Sequence, residues 1–321
     1  MSRNQTRPTT LVAAVAFYLD DCLVKGQSPR TVEVKKCSLN AFVSWCLSEG
    51  IRRPQQVGLA EVEDYQAYLF RYRQPYTEKP LVKATIRNRL THVKVLFGCL
   101  YRRSFIKTNP VTLMDLPRVP RQLPSAFLEL PEMVGTLRQA QPSGPIGVRD
   151  RAILLTFYST ALRRMELANL DLPDIDLDKG IVTVRRGKGE RDRRVPIAPS
   201  ACEWIDAYLI YARPELQTLQ SGQVLFLDNK GIRYRAHQLT RMAKKYVGRA
   251  GIQKRGACNL FRHSAATHMH ENGADIRVVQ EYLGHADIST TQIYSHVAIN
   301  HLRRDYARTH PAALEGPRDG V

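Results

Sequence analysis

The chain has 321 residues, which is long enough for two domains and a full-sized core. It carries 48 Lys and Arg against 30 Asp and Glu, and the net charge of +18 favours a polyanionic partner, most often nucleic acid, over a merely basic enzyme. It has no long apolar run and no apolar segment at its N-terminus, so we expect neither a membrane span nor secretion. The six cysteines form no C-x-x-C pair, which is typical of reduced thiols in a cytosol.

The first part of the chain predicts a helical, basic unit. Apolar residues recur at helical spacing in LVAAVAFYLDDCLVKG, and Ser28 and Pro29 predict the cap and first turn of a second helix. A third helix is predicted around LAEVEDYQAYLFRYR and a fourth from Lys83 to Arg103. Residues 1–125 hold 20 Lys and Arg and 9 Asp and Glu, a net +11, whereas the rest of the chain has a net +7.

Cations lie along the fourth helix, beside an apolar stripe. A solvated helix face would explain them, but the charge concentrated in this small unit favours contact with DNA phosphates. The candidate DNA-binding residues, in this helix and in the segment after it, are Lys83, Arg87, Arg89, Lys94, Arg118 and Arg121.

Prolines interrupt the chain after the fourth helix. Five of them lie between Asn109 and Pro131, and the run PRVPRQLP cannot continue a helix. We therefore predict an extended linker between two domains. The predicted limits are a helical DNA-binding domain over 1–115, a linker over 116–125, a second domain over 126–297 and a C-terminal tail over 298–321.

The second domain is predicted to be mostly helical with a small sheet. GIVTVRR and RRVPIA read as strands around the tight turn Gly187-Lys188-Gly189, and VLFL at 224–227 as a further short strand. The fold class is therefore mainly α with a small antiparallel β-sheet. Helices are predicted near 129–140, 149–160, 235–250, 260–271, 274–283 and 289–297, with one helical turn in LRRMELANL.

Common catalytic and nucleotide-binding motifs are absent. There is no G-x-x-x-x-G-K-[ST], no G-x-S-x-G and no H-E-x-x-H. His263, His268 and His270 suggest a metal, but the last two point to different helix faces and no carboxylate lies at a matching spacing. We expect no metal.

Five residues of the second domain stand out, although each alone has a structural explanation. Arg163 can pair with Glu166 three residues later, and Lys188 can be a solvated residue at a hairpin tip. A histidine after a glycine-marked helix end and a tyrosine inside a short helix are ordinary end and core residues. The five are Arg163, Lys188, Arg262, His285 and Tyr294.

In this order, four segments resemble the tyrosine recombinases, the phage-integrase and Xer-type family. They are TALRRMELANL, VRRGKGERDRRVPI, NLFRHSAATHM and LGHADISTTQIYSHV. The resemblance covers about 125–300 and extends more weakly over 11–110, which looks like the helical core-binding domain of the family. It implies a mixed α/β catalytic domain and an enzyme that breaks and rejoins DNA, in the integration, excision or resolution of mobile DNA.

The resemblance also implies a mechanism. Tyr294 attacks a phosphodiester to form a 3′-phosphotyrosyl link and release a 5′-hydroxyl, and the reverse attack by a 5′-hydroxyl of another strand seals the product without ATP or a cofactor. Arg163 and Arg262 stabilise the non-bridging oxygens, which suit the planar guanidinium. Lys188 protonates the leaving oxygen, and His285 hydrogen-bonds the phosphate or assists the proton transfer.

Two more positions belong to the implied site. Glu166 holds the guanidinium of Arg163 in place. Asn259 stands where the family usually has a histidine, three residues before Arg262; asparagine can hydrogen-bond a phosphoryl oxygen but cannot carry a proton at neutral pH. His263 lies about 100° around the helix from Arg262 and is expected to pack structurally. We favour a tolerated variant of an active enzyme over a slow or partner-dependent one.

The implied partners are double-stranded DNA and further protomers. Strand exchange requires two duplexes and four active sites, hence a homo-tetramer on DNA, with an accessory protein or partner recombinase as an additional candidate. Ile299, Leu302 and Tyr306 are candidates for a C-terminal helix that docks on a neighbouring protomer; packing on its own domain is the alternative. A non-catalytic DNA-binding accessory protein and a type IB topoisomerase-like relaxing enzyme are the alternative functions. We expect a cytoplasmic, nucleoid-associated protein.

Overall fold

The computed structural model describes residues 7–119, 127–185 and 192–284. The chain forms two compact units, Met1–Arg121 and Gln122–Val321. The boundary between them falls inside the stretch 116–125, for which the sequence predicts a linker; the domain limits themselves stay a prediction.

The first unit contains four long helices. Thr10 caps the first, where its hydroxyl accepts from Ala13 N, and Ser28 caps the second, where its hydroxyl accepts from Thr31 N. Apolar faces of the helices meet in one core around Phe42, Tyr65 and Phe97. The helices are α1 (Leu11–Val24), α2 (Pro29–Ser48), α3 (Leu59–Arg71) and α4 (Lys83–Arg102).

The second unit is built around α6 (Gly144–Thr160), whose buried Ile153 and Phe157 belong to the main core. It packs against α8 (Pro199–Ala207) and α11 (Cys258–Glu271). The other helices are α5 (Leu130–Arg138), α7 (Arg164–Ala168), α9 (Arg213–Leu216), α10 (Ala236–Arg249) and α12 (Ile276–Leu283).

A three-stranded antiparallel sheet in the order β1-β2-β3 completes the second unit. The strands are β1 (Ile175–Asp176), β2 (Ile181–Val184) and β3 (Arg193–Pro196). Val182 pairs with Val195, and Val184 with Arg193. The predicted fold class, mainly α with a small antiparallel sheet, is confirmed, as are the two strands of the hairpin.

One local prediction was wrong. VLFL forms no strand: Val224 and Leu227 make only isolated bridges, and the amides of Leu225 and Leu227 donate to Leu170 O and to the hydroxyl of Tyr208. The segment 199–216, for which no element was predicted, is helical, with a π-helical turn over Tyr208–Ala212 between α8 and α9. The helix predicted near 289–297 lies outside the described residues.

None of the described helices combines the length and the apolar character that a membrane-spanning helix requires.

Candidate active site

The first arginine of the site sits where α6 gives way to α7. Ala161 ends α6 in the left-handed conformation (φ 47°), which turns the chain so that Arg163 becomes the residue preceding α7. Glu166, in the first turn of α7, accepts from the backbone N–H of Arg163 at 2.8 Å and from its Nη1 at 2.8 Å. Arg163 and Glu166 therefore do form a pair, but Arg163 caps the helix instead of lying on its face.

Glu166 is held by a second arginine as well. Arg193, the first residue of β3, donates from Nη1 to Oε1 at 3.0 Å and from Nη2 to Oε2 at 2.8 Å. The Glu166 side chain is 8% exposed. Burial raises the pKa of Glu166, but the hydrogen bonds from Arg193 and Arg163 outweigh it and lower the pKa to about 2. The carboxylate is thus ionised at any physiological pH.

The second arginine of the site lies in α11. Arg262 is 5% exposed and donates from Nη1 to Ala161 O and from Nη2 to Leu283 O at 2.6 Å. Arg163 donates from Nη2 to Gly284 O at 3.1 Å. Both guanidinium groups are therefore anchored on consecutive carbonyls at the C-terminal end of α12, where the helix dipole favours cations.

The turn at Gly284 is also constrained by close packing. Gly284 adopts φ +62°, the left-handed conformation that often ends a helix. A Cβ at this position would come within 2.8 Å of Nε of Arg193. A glycine is therefore needed for two reasons, the backbone conformation and the contact with Arg193.

Asn259 lies in the first turn of α11 and is exposed, whereas Arg262 one turn later is buried. The first turn of a helix leaves backbone N–H groups free to meet an anion, and the dipole there favours negative charge. His263, next to Arg262, is half-buried, and burial followed by the charge of Arg262 lowers its pKa. A neutral, packed His263 agrees with the structural role that the sequence indicates.

The two other histidines of α11 have structural partners. His268 Nδ1 lies 2.9 Å from the hydroxyl of Tyr158, and His270 Nδ1 lies 3.0 Å from Ala274 O. Phe127 packs edge-on against His268. These contacts join α11 to its neighbours and give the Nδ1 atom of each histidine a partner within the protein.

Several predicted residues lie outside the described part of the chain: Lys188, Arg121, His285 and Tyr294. In the sequence, Lys188 belongs to the segment between β2 and β3, and His285 directly follows Gly284. Arg193 begins β3, which follows Lys188 in the chain, and the carbonyls of Leu283 and Gly284, which accept from Arg262 and Arg163, directly precede His285.

The cations predicted to bind DNA differ in their contacts within the first unit. Lys83, Arg87 and Arg118 are exposed. Arg87 donates to Pro117 O at 3.0 Å and Lys94 to Met114 O at 3.4 Å, so these two hold the segment after α4 against the helix. Arg89 contacts a different group: its guanidinium carbon lies 6.0 Å from the centroid of the Tyr72 ring.

Sequence reasoning missed Arg193. The signal was present in the alternation of β3, because side chains two apart share a face of a strand. Val195 is buried, so Arg193 belongs to the inward face and Arg194 to the exposed one. In a hairpin rich in arginine, composition alone did not separate the two.

A second missed feature is the cationic face of α10. The helix has no acidic residue, and its exposed side chains include His237, Arg241, Lys244, Lys245 and Arg249. Buried Leu239, Met242 and Val247 form the opposite face. A helix that is apolar on one side and cationic on the other is typical of one packed on its domain and open to a polyanion.

Comparison with known proteins identifies the family of the chain. Residues 128–301 match the family described as the phage integrase family. The chain is 43% identical to tyrosine recombinase XerC 2 of Ralstonia nicotianae, over 93% of this chain and 85% of the relative, and 36% identical to tyrosine recombinase XerD of Lacticaseibacillus casei, over 94% and 98%. The fold matches XerH site-specific recombinase bound to its difH substrate, with a TM-score of 0.71 and 22% identity, covering 88% of this chain and 81% of that one. The resemblance stated from the sequence is thus confirmed: the chain belongs to the phage integrase family, the tyrosine recombinases.

Proposed function

We propose that this tyrosine recombinase cleaves and rejoins double-stranded DNA at specific sites through a covalent link to Tyr294. The observation that carries the proposal is the pair of guanidinium groups, Arg163 and Arg262, anchored on the adjacent carbonyls of Leu283 and Gly284. Two guanidinium groups held in this way are suited to donate hydrogen bonds to the non-bridging oxygens of one phosphate. The two accepting residues, Leu283 and Gly284, directly precede His285 in the chain.

In the proposed reaction, the Tyr294 oxygen bonds to phosphorus and the bond from phosphorus to the 5′-oxygen breaks. Negative charge grows on the two non-bridging oxygens, where Arg163 and Arg262 stabilise it. Glu166 supports this by keeping Arg163 in one orientation. Because the phosphodiester energy is retained in the phosphotyrosyl bond, attack by a 5′-hydroxyl reverses the step without another energy source.

The remaining roles follow from residue type. Lys188 delivers a proton to the departing 5′-oxygen, since an ammonium group can act as general acid. His285 hydrogen-bonds the phosphate. Asn259 donates a hydrogen bond from its amide to a phosphoryl oxygen and leaves the proton of Tyr294 to another acceptor, because an amide does not take up a proton at neutral pH.

Double-stranded DNA is the proposed substrate, and two cationic surfaces support it. One is the set of exposed candidate cations of the first unit, Lys83, Arg87 and Arg118, with Arg89, Lys94 and Arg121 as further candidates. The other is the cationic face of α10 in the second unit. Neither surface reads a base sequence by charge alone, so these contacts supply affinity and the salt dependence of binding.

Covalent capture tests the central claim. The protein is incubated with a library of random duplexes, each nicked near its centre so that the short cleaved fragment diffuses away, and denaturant-resistant protein–DNA adducts are isolated and sequenced. The wild-type chain is expected to yield adducts enriched in one duplex family, whereas Tyr294→Phe, which lacks only the nucleophilic oxygen, yields none. Adducts that persist with Tyr294→Phe would remove the proposed nucleophile.

The same experiment separates the other functions. A DNA-binding accessory protein would enrich duplexes without any covalent product. An enzyme that only relaxes supercoils would form the adduct but produce no recombinant molecule when two captured sites are placed on one plasmid. Recombinant product is the outcome that the proposal requires.

Assembly is part of the proposal. Strand exchange between two sites needs four active sites, so we expect four protomers on the paired DNA, all of this chain or shared with a partner recombinase. The role would be integration, excision or resolution of mobile DNA. Crosslinking of the synaptic complex formed on the captured duplex measures the number of protomers directly.

A further inference from the structure

Arg193 is the first residue of β3 and pairs with Val184, the last residue of β2, at the end of the ladder next to the segment that connects the two strands. Its side chain is 15% exposed and contacts both oxygens of Glu166. A bidentate pair between arginine and carboxylate is both strong and directional. Arg193 therefore constrains Glu166 from a different element than the one that carries Arg163.

Each oxygen of Glu166 is shared between the two arginines. Oε1 accepts from Nη1 of Arg163 and from Nη1 of Arg193, and Oε2 accepts from the backbone N–H of Arg163 and from Nη2 of Arg193. The carboxylate cannot rotate without losing contacts on both sides. Its orientation, and with it the orientation of the Arg163 guanidinium, depends on Arg193.

Arg193 also touches the other anchor of the site. Its Nε and Cδ pack against the α-carbon of Gly284, where even a methyl group would collide. The carbonyl of the same residue accepts from Arg163. The side chain of Arg193 thus contacts both Glu166 and Gly284, the two residues that accept hydrogen bonds from the Arg163 guanidinium.

We infer that Arg193 is a positioning residue of the cleavage reaction, which holds Glu166 and the end of α12 so that Arg163 meets the scissile phosphate. This inference rests on the proposed function. Arg193 contributes through Arg163 and not through its own contact with DNA, so its loss should reduce the rate of cleavage on bound DNA much more than the affinity for DNA.

The acidity of Glu166 supplies an independent signature. The charged groups that the described residues place against Glu166 are Arg163 and Arg193, and both lower its pKa against the opposing effect of burial. Without Arg193, only Arg163 opposes the increase in pKa that burial causes, so the pKa of Glu166 rises. Cleavage should then begin to fail at a higher pH than in the wild-type chain.

The test compares Arg193→Gln with Arg194→Gln. Both remove one positive charge from the same strand, but Arg194 lies on the exposed face, so the pair is matched for long-range electrostatics. On the duplex recovered by covalent capture, at saturating protein, we expect the adduct rate of Arg193→Gln to fall roughly tenfold to 100-fold, as for small misplacements of a catalytic group. Arg194→Gln should cleave within about twofold of wild type, and the two variants should bind the duplex equally well.

Two further readouts exclude a general loss of structure. The rate of Arg193→Gln should decline at a higher pH than the wild-type rate, and this acid limb should vanish when Glu166→Gln is added. The double variant should be no slower than the slower single variant, because both changes disrupt the same contact. If Arg193→Gln does not fold, Arg193→Lys takes its place: it keeps the charge but cannot form the bidentate pair, so a reduced rate is expected with unchanged affinity.

Equal cleavage rates for the Arg193 and Arg194 variants, with a wild-type pH profile, would overturn the inference. So would a loss confined to DNA affinity, which would make Arg193 a phosphate-binding residue. Failure of the proposed function looks different, since the wild-type chain itself would then form no adduct.

Discussion

Asn259 stands where the resemblance to the tyrosine recombinases leads us to expect a histidine. It is exposed in the first turn of α11, one turn before Arg262. An amide at this position can donate to a phosphoryl oxygen, but it cannot accept a proton from the proposed nucleophile, Tyr294. In the proposed reaction, Tyr294 is therefore deprotonated by another group or by solvent.

Restoring a histidine at this position should preserve or increase cleavage. Asn259→His keeps a hydrogen-bond donor and adds a group whose ordinary pKa lies near 6.5, so a gain in adduct rate is expected above about pH 6.5. Asn259→Ala, the control, loses the donor, and its rate should fall about fivefold, the effect of one hydrogen bond. A histidine variant slower than the alanine variant would show that the site has adapted to the amide.

Glu166 links the site to the stability of the fold. Its pKa of about 2 lies below the ordinary value of 4.5. A depressed acid pKa contributes stability that is complete above the unfolded-state value and is lost as the pH falls from about 4.5 towards 2. The opposite sign would apply to a group with a raised pKa.

We therefore expect the wild-type chain to lose stability in acid more steeply than Glu166→Gln. Between about pH 6 and about pH 3 the difference in unfolding free energy between the two should shrink by roughly 2 kcal/mol. Urea unfolding at both pH values measures it, with the exposed Glu203→Gln as the control that keeps the wild-type slope. A constant difference between wild type and Glu166→Gln would mean that the ion pair is not formed in solution.

At this scale the sequence predicted Arg163, Arg262 and the pair that Arg163 forms with Glu166, but neither the contact of Arg193 with Glu166 nor the carbonyls that hold the two guanidinium groups. The spacing of Arg163 and Glu166 suffices to predict that they pair, because the two residues are one helical turn apart. Arg193 contacts Glu166 across 27 positions of the chain, and the anchors at Leu283 and Gly284 are backbone carbonyls, which carry no residue signature. Long-range contacts and main-chain acceptors emerge only when the chain is folded.

Among the elements, α11 carries the small buried residues Ser264, Ala265 and Ala266, which allow close packing against its neighbours. Ser264 is fully buried; its hydroxyl accepts from Leu128 N at 2.7 Å and donates to Leu260 O at 2.7 Å. The hydroxyl therefore joins the start of the second unit to the helix that carries Arg262.

Ser264→Ala should destabilise the second unit by about 1–3 kcal/mol, because the buried N–H of Leu128 is left without its acceptor. Thermal unfolding measures the change, and Ser200→Ala at an exposed position of α8 is the control. Wild-type stability in Ser264→Ala would imply that water or another group replaces the hydroxyl.

The elements differ in how well their patterns predict them. The helices of the first unit were predicted to within a few residues, because apolar periodicity, capping residues and terminal glycines agree. VLFL is a short apolar run that fits a buried strand or a buried loop equally well, and here its amides bond to a loop carbonyl and a tyrosine hydroxyl. Local pattern does not specify such partners.

For the whole molecule, the excess of positive charge predicts how DNA binding responds to salt. Each phosphate contact removed lowers the slope of log affinity against log salt by about 0.9. Lys83→Gln and Arg118→Gln, both at exposed cations of the first unit, should each flatten the slope by about that amount in titrations of the captured duplex. Lys25→Gln is the matched control, because Lys25 is paired with Asp21 and its variant should keep the wild-type slope. If Lys83→Gln and Arg118→Gln also kept the wild-type slope, neither residue would contact DNA phosphate.

Removal of the tail after Ala298 should distinguish the assembly of protomers from DNA binding and cleavage. If Ile299, Leu302 and Tyr306 dock on a neighbouring protomer, a chain ending at Ala298 keeps every proposed catalytic residue and both cationic surfaces. It should therefore bind the captured duplex with wild-type affinity but recombine two sites at least tenfold more slowly, since paired sites require contacts between protomers. The triple variant Ile299→Ser, Leu302→Ser, Tyr306→Ser should reproduce this loss, because it removes the apolar face and keeps the chain length. Equal losses in binding and recombination would instead indicate that the tail stabilises its own domain.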